Sequence, residues 1–190
     1  MTSSDPAVPG EKIVAERERV SSPTERMPRR ALGVVLAVAA LGVALDQGTK
    51  ALAAAQLVPG DRLPLIGDLL GLSLVYNPGA AFSFGSGATW IFSIVGVVAA
   101  VVVIIFAVRL RGVWWGLALG LVLGGAVGNL VDRLVNPPSF GHGHVTDFIA
   151  YGDLFVGNVA DVLVIVGVAF VCLFFVRSGP SDGEVVRREN

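Results

Sequence analysis

Two carboxylates lie where a charge is costly. Asp132 closes an apolar stretch that runs from Trp114 to Val131, and Asp161 lies inside the next, from Asn158 to Val176. Each has an asparagine three residues before it, in Asn129-Leu-Val-Asp132 and Asn158-Val-Ala-Asp161. Ionisable side chains at membrane depth are expensive and point to function by default. Two carboxylates brought close cannot both ionise easily, so one keeps a proton while the other stays charged. The charged member can take a proton from water, and the neutral one can donate to a scissile carbonyl or leaving amine. That is enough for hydrolysis of a peptide bond without a metal or a nucleophilic side chain.

Each polar residue near this pair also has a plainer reading. Asp132 ends a helix, where the macrodipole disfavours an acid, although Arg133 next to it could pair with it. Asp161 would stand at the third position of a helix capped by Asn158, close to a capping box. Asp46 and Lys50 are spaced i, i+4, which reads as a surface ion pair. Asn77 belongs to an Asn77-Pro78-Gly79 turn. Asn129 and Asn158 either orient the aspartates or satisfy polar neighbours in a bundle. Competing catalytic patterns are poor: there is no Gly-x-Ser-x-Gly elbow, no His-Glu-x-x-His, and no histidine close to Ser83 or Ser86. His142 and His144 flank a glycine and read as an ordinary polar loop. The single cysteine, Cys172, excludes an internal disulfide and a thiolate metal cluster and reads as packing. No cofactor is expected.

The elements that must position these groups are membrane spans. Of 190 residues, 54% are hydrophobic and 15% charged, and the mean hydropathy is +0.73. A net charge of −1 without a basic, aromatic-laced patch argues against nucleic acid as a partner. Residues 1–30 read as a disordered polar tail, residues 31–176 as one membrane domain, and residues 177–190 as a second tail. Four apolar stretches run from Ala31 to about Leu57, Trp90 to Val108, Trp114 to Val131, and about Leu154 to Val176. Each can supply the roughly 20 residues that a spanning helix needs, the first only marginally. A cleaved signal peptide over 31–45 is the alternative for the first stretch, but the helical pattern continues past Leu45 to Lys50.

Arg26, Arg29, Arg30, Arg109, Arg111 and Arg177 fall on one side of such a four-span layout. Every acid between residues 31 and 176 falls in or toward the other side. Both termini are therefore expected in the cytoplasm, with the acidic face outside. The outer loop, about 58–89, has short β-favouring runs around Asn77-Pro78-Gly79, which predict a small sheet or hairpin at the outer surface. The third and fourth spans are antiparallel neighbours. With Asn158 as the cap, Asp161 lies only about 5 Å below the helix end and can face Asp132. Two other classes use the same residues: a carrier in which paired aspartates bind a cation or relay protons, and a scaffold in which they only cap and pair.

Five pieces, taken in order, resemble the lipoprotein signal peptidases, or signal peptidase II. They are Asp46-Gln-Gly-Thr-Lys50, Asn77-Pro-Gly-Ala-Ala-Phe82, Gly128-Asn-Leu-Val-Asp-Arg133, Val145-Thr-Asp-Phe-Ile149 and Asn158-Val-Ala-Asp161. The resemblance implies an aspartic peptidase with four transmembrane helices and a small β-rich cradle on the outer side of the bacterial cytoplasmic membrane. Its substrate would be a prolipoprotein, cut just before a diacylglyceryl-modified cysteine, with the acyl chains left among the membrane lipids. It puts the catalytic pair on Asp132 and Asp161, with support from Asp46, Lys50, Asn77, Asn129, Arg133 and Asn158. The chain departs from the family at Gly157, where phenylalanine is usual, at Val164, where isoleucine is usual, and in a second outer loop lengthened by Pro137-Pro138 and Gly-His-Gly-His. These departures bear on substrate preference more than on chemistry.

Overall fold

A computed structural model describes residues 28–79, 89–109 and 112–177. Four helices carry the apolar stretches: α1 (Pro28–Gln56), α2 (Thr89–Arg109), α3 (Val113–Val135) and α4 (Val159–Arg177). All four are long and apolar enough to cross a membrane. Their mean hydropathies differ: α2 and α4 reach 3.2 and 2.9, whereas α1 and α3 reach only 1.8 and 1.5. The two less apolar helices are the ones that bury Asp46, Lys50, Asp132 and Arg133. Helix α1 begins at Pro28, inside the stretch expected as tail.

Helix α3 is the centre of the bundle and packs on the other three. Without water between lipid-embedded helices, close backbone approach must replace the hydrophobic drive, and small residues permit it. Gly116, Gly120, Gly124 and Gly128 recur every fourth residue along one side of α3, and α1 lies against them. A Cβ at Gly120 would stand 2.7 Å from the Cβ of Val38, and one at Gly124 would stand 3.1 Å from the Ala39 carbonyl. On another side, a Cβ at Gly125 would collide with the Ala160 carbonyl of α4. The apolar core gathers Val35, Ala39, Val103, Ala107, Leu119 and Leu123 from three helices.

At one end of the bundle lies a four-stranded antiparallel sheet in the order β1 (Leu63–Ile66), β2 (Leu70–Asn77), β3 (Val145–Tyr151), β4 (Phe155–Gly157). The expected small sheet is present, but two features differ from expectation. The first hairpin turns before Leu70, with Gly67 at φ +48° and Leu69 N–H donating to Ile66 C=O, so Asn77 ends a strand. The next neighbour of β2 is β3, from the segment after α3, with Val75 opposite Asp147 and Asn77 opposite Val145. The run from Ala80 to Phe84 lies outside the described residues. The fourth span also starts later than Leu154, because Phe155–Gly157 form an edge strand before the chain turns into α4. Cys172 is exposed on α4 and does not pack as expected.

Candidate active site

The last turns of α3 face the C-terminal half of α1, and the small Gly128 lets the two close on one another. A Cβ there would sit 2.6 Å from Asp46 Oδ2. Asp46 and Lys50 are fully and almost fully buried, at 0% and 4% exposure, so the expected surface pair is an interior one. The Lys50 ammonium meets Asp46 Oδ2 at 2.8 Å, Asp132 Oδ2 at 3.1 Å and Asn129 Oδ1 at 3.0 Å, which employs its three protons. Asp46 Oδ1 accepts the Ala160 backbone N–H at 2.9 Å, tying α1 to the start of α4.

Asp132 is as firmly held. Its Oδ1 accepts from Gln47 Nε2 at 2.9 Å, and its Oδ2 accepts the Thr146 backbone N–H at 2.8 Å in addition to Lys50. Among the described residues no hydrogen bond joins Asp132 to Asp161. The path between them runs through Lys50 and Asn129, whose Nδ2 donates to Asp161 Oδ1 at 2.9 Å. The two aspartates expected to face one another are thus linked through Lys50 and Asn129 rather than directly. Asp132 is thus engaged by three donors, Gln47 and Lys50 from α1 and Thr146 from β3.

A third carboxylate, Asp147, lies in the field of Asp161. It lies on β3, buried, with Asn77 Nδ2 donating to its Oδ2 at 2.9 Å and Asn158 Nδ2 to its Oδ1 at 2.6 Å. Burial raises its pKa to about 6. The Asn77 hydrogen bond opposes that rise, the charge of Asp161 adds to it, and Asn158 and Lys50 oppose it more weakly. Asp161 stands beside the same asparagine. Asn158 N–H donates to Asp161 Oδ2 at 3.0 Å and Asp161 N–H donates back to Asn158 Oδ1 at 3.1 Å, the reciprocal cap expected from the sequence. Asn158 thus bonds Asp147 with its amide and Asp161 with its backbone, and reaches Asn129 Oδ1 at 3.1 Å. Burial and the charge of Asp161 also push the Tyr151 phenol upward.

Arg133 completes the cluster. Its Nη2 donates to the Gly79 carbonyl at 2.7 Å, its guanidinium lies 5.2 Å from the Phe92 ring centroid, and it sits in the field of Asp147, Asp132 and Asp161. Its Nη1 is the one buried side-chain nitrogen or oxygen without a hydrogen-bond partner among the described residues. Asn77 does serve its turn, since its Oδ1 accepts Gly79 N–H at 2.9 Å, while its amide nitrogen reaches Asp147. All eight residues singled out from the sequence lie in this network. Asp147, Gln47 and Thr146 were not singled out. Asp147 could have been, because an acid inside the apolar run Val145–Ile149 is as costly as one inside a helix; Gln47 carries no such signal.

Four apolar helices around a buried network of carboxylates, amides and two cations, roofed by a small sheet, define a multi-pass membrane protein equipped for acid–base chemistry. The profile of the family described as Signal peptidase (SPase) II matches residues 38–177. A lipoprotein signal peptidase of Leifsonia xyli subsp. xyli is 45% identical over 158 residues, covering 82% of this chain and 73% of that one. One of Rhodococcus jostii is 38% identical over 185 residues, covering 95% and 93%. A solved structure, titled a bacterial membrane enzyme determined by the in meso method at 2.3 Å resolution, superposes with a TM-score of 0.71 at 26% identity, covering 80% of this chain and 93% of that one. The chain belongs to the signal peptidase II family, and it is an aspartic peptidase.

Proposed function

We propose that this protein removes the signal peptide from diacylglyceryl-modified prolipoproteins, cutting before the lipidated cysteine, with Asp147 and Asp161 as the working pair. The observation that carries the assignment of the pair is Asn158. It bonds both carboxylates, and one of them has its pKa raised to about 6 by burial. Two acids held by a common neighbour, one of them inclined to keep its proton, are what general acid–base hydrolysis requires.

In this reading Asp161 takes a proton from water as the water oxygen attacks the scissile carbonyl carbon. Asp147 gives its proton to the carbonyl oxygen. The tetrahedral intermediate then collapses: the C–N bond breaks, the leaving amine takes a proton from Asp161, and the hydroxyl proton returns to Asp147. Asn77 and Asn158 hold Asp147 in place, and Asn129 and Asn158 hold Asp161. Asp132 acts at one remove. By accepting from Thr146 N–H it fixes β3 against α3, and so fixes the next residue, Asp147.

The arginine distribution supports cytoplasmic termini, with the sheet and the carboxylates on the outer side, where a lipidated substrate can enter sideways with its acyl chains still in the bilayer. The experiment is incubation of the purified protein with a synthetic diacylglyceryl-cysteine precursor, read by mass spectrometry. Cleavage before the lipidated cysteine is expected, with none from Asp147→Asn or Asp161→Asn. Cleavage elsewhere would overturn the substrate assignment, and normal turnover by Asp147→Asn with loss only in Asp132→Asn would return the role to Asp132.

A further inference from the structure

A cleft opens on the Thr146 side of β3. Successive side chains of a strand project to opposite faces, so the cleft that Thr146 lines is turned away from Asp147. Its volume is about 540 Å³, within the range of small-molecule sites. One wall is a stripe of α1 ending in Ala51 and Ala54, whose small side chains leave it wide. The opposite wall is the loop after α3, which carries Pro137 and His144. That loop is pinned: Asn136 Nδ2 donates to the His144 carbonyl at 2.9 Å, His144 N–H to Pro137 C=O at 3.0 Å, and Ser93 Oγ to Gly141 C=O at 2.6 Å.

The base of the cleft is chemically one-sided. Asp132 and Lys50 form it, each more than nine-tenths buried, and Asp46 stands directly behind. Asp46, Asp132 and Lys50 together carry a formal charge of −1, with Arg133 the further cation in the field of Asp132. Lys50 has no proton left to give, since three acceptors surround it. Gln47 directs its amide nitrogen to Asp46, Gly128 C=O and Asp132, so only its acceptor oxygen remains for a ligand. An acceptor-rich base under walls of Ala51, Ala54 and Pro137, with Tyr76 at the side, is complementary to a cation that brings its own donors on an apolar stem.

We propose that this cleft binds the primary-ammonium headgroup of a membrane amphiphile of the ethanolamine type, at a position separate from the peptide-cleaving pair. The flank formed by Ala51 and Ala54 is exposed and continuous with the apolar surface of α1, which gives the acyl chains a route to the bilayer. A primary ammonium donates to Asp132 and Gln47, whereas a trimethylated one cannot.

The test uses the full chain in phosphatidylglycerol nanodiscs carrying equal minor fractions of phosphatidylethanolamine and phosphatidylcholine, released gently and read by native mass spectrometry. Retention of the ethanolamine lipid over the choline lipid by about tenfold is expected, the worth of a charge-assisted hydrogen bond. Ala51→Phe and Ala54→Phe, at exposed positions, fill the cleft and should erase the preference with unchanged circular dichroism. Thr146→Val is a third variant should either fail to fold. Soluble ethanolamine should not displace the lipid. Equal retention of the two lipids, or a preference that survives both phenylalanine variants, overturns the proposal; displacement by the soluble amine overturns its lipid source. No cleavage is measured, so this outcome is independent of the peptidase reading.

Discussion

Asp147 is the residue on which burial acts most plainly. Its carboxyl is raised to about 6 from an ordinary value near 3.8. A group raised in the folded state holds its proton below that value and loses it above. If its proton is the one given to the scissile carbonyl, kcat/KM falls as pH rises through about 6, where an unperturbed aspartate would set the fall near 4. A pH–rate profile of precursor cleavage checks this. The sign for stability is the same: the contribution is complete below the ordinary carboxylate range and lost as pH passes 6. Asp147→Asn should therefore lack the part of the parent's decline in unfolding temperature that falls between about pH 4 and 6, while its cleavage rate falls by about 10²–10⁴-fold.

Asp132 and Lys50 call for a different outcome. Lys50→Met leaves Asp46 and Asp132 buried without their cation, at a cost of about 3–5 kcal/mol in detergent unfolding. Asp132→Asn should lower stability yet retain measurable cleavage at low temperature, which separates support from chemistry. The cost of a buried acid was legible in the sequence for Asp132 and Asp161 because hydropathy frames them. Which acid meets Asp161 was not. That depends on Asn158 turning its amide toward β3, and on Gln47 and Lys50 claiming Asp132 first.

At the scale of elements, the close contact of α1 with α3 is the part most open to test. Gly128→Ala puts a Cβ 2.6 Å from Asp46 Oδ2 and must displace that carboxylate from Ala160 N–H or Lys50. A loss of about 1–3 kcal/mol in thermal unfolding is expected, together with lower activity, since Ala160 adjoins Asp161. The four spans and the cap of α4 were readable because hydrophobic runs and Asn-x-x-Asp are local signals. Strands β3 and β4 were not. Five of the seven residues from Val145 to Tyr151 are buried, on both faces of the strand, so no in-and-out alternation betrays it. In β4 the apolar run flows without a break of hydropathy into α4, and only Asn158 marks the change.

For the whole molecule, the arginine asymmetry predicts a single orientation. In a Cys172→Ser background, Ser139→Cys should react with a membrane-impermeant thiol reagent added outside intact cells, and protection there with labelling only after lysis would invert the topology. The sheet also bears on how the protein comes into being. It joins a strand made before α2 to one made after α3, and the capped Asp161 belongs to the last helix. A ribosome delivers these parts in order, so most of the polypeptide is already threaded through the bilayer before any proton-transfer pair exists. On the proposed pairing of Asp147 with Asp161, hydrolytic competence thus arrives as the final event of biogenesis, and a nascent chain halted before Val159 is expected to be inert toward its neighbours, however complete its first three helices.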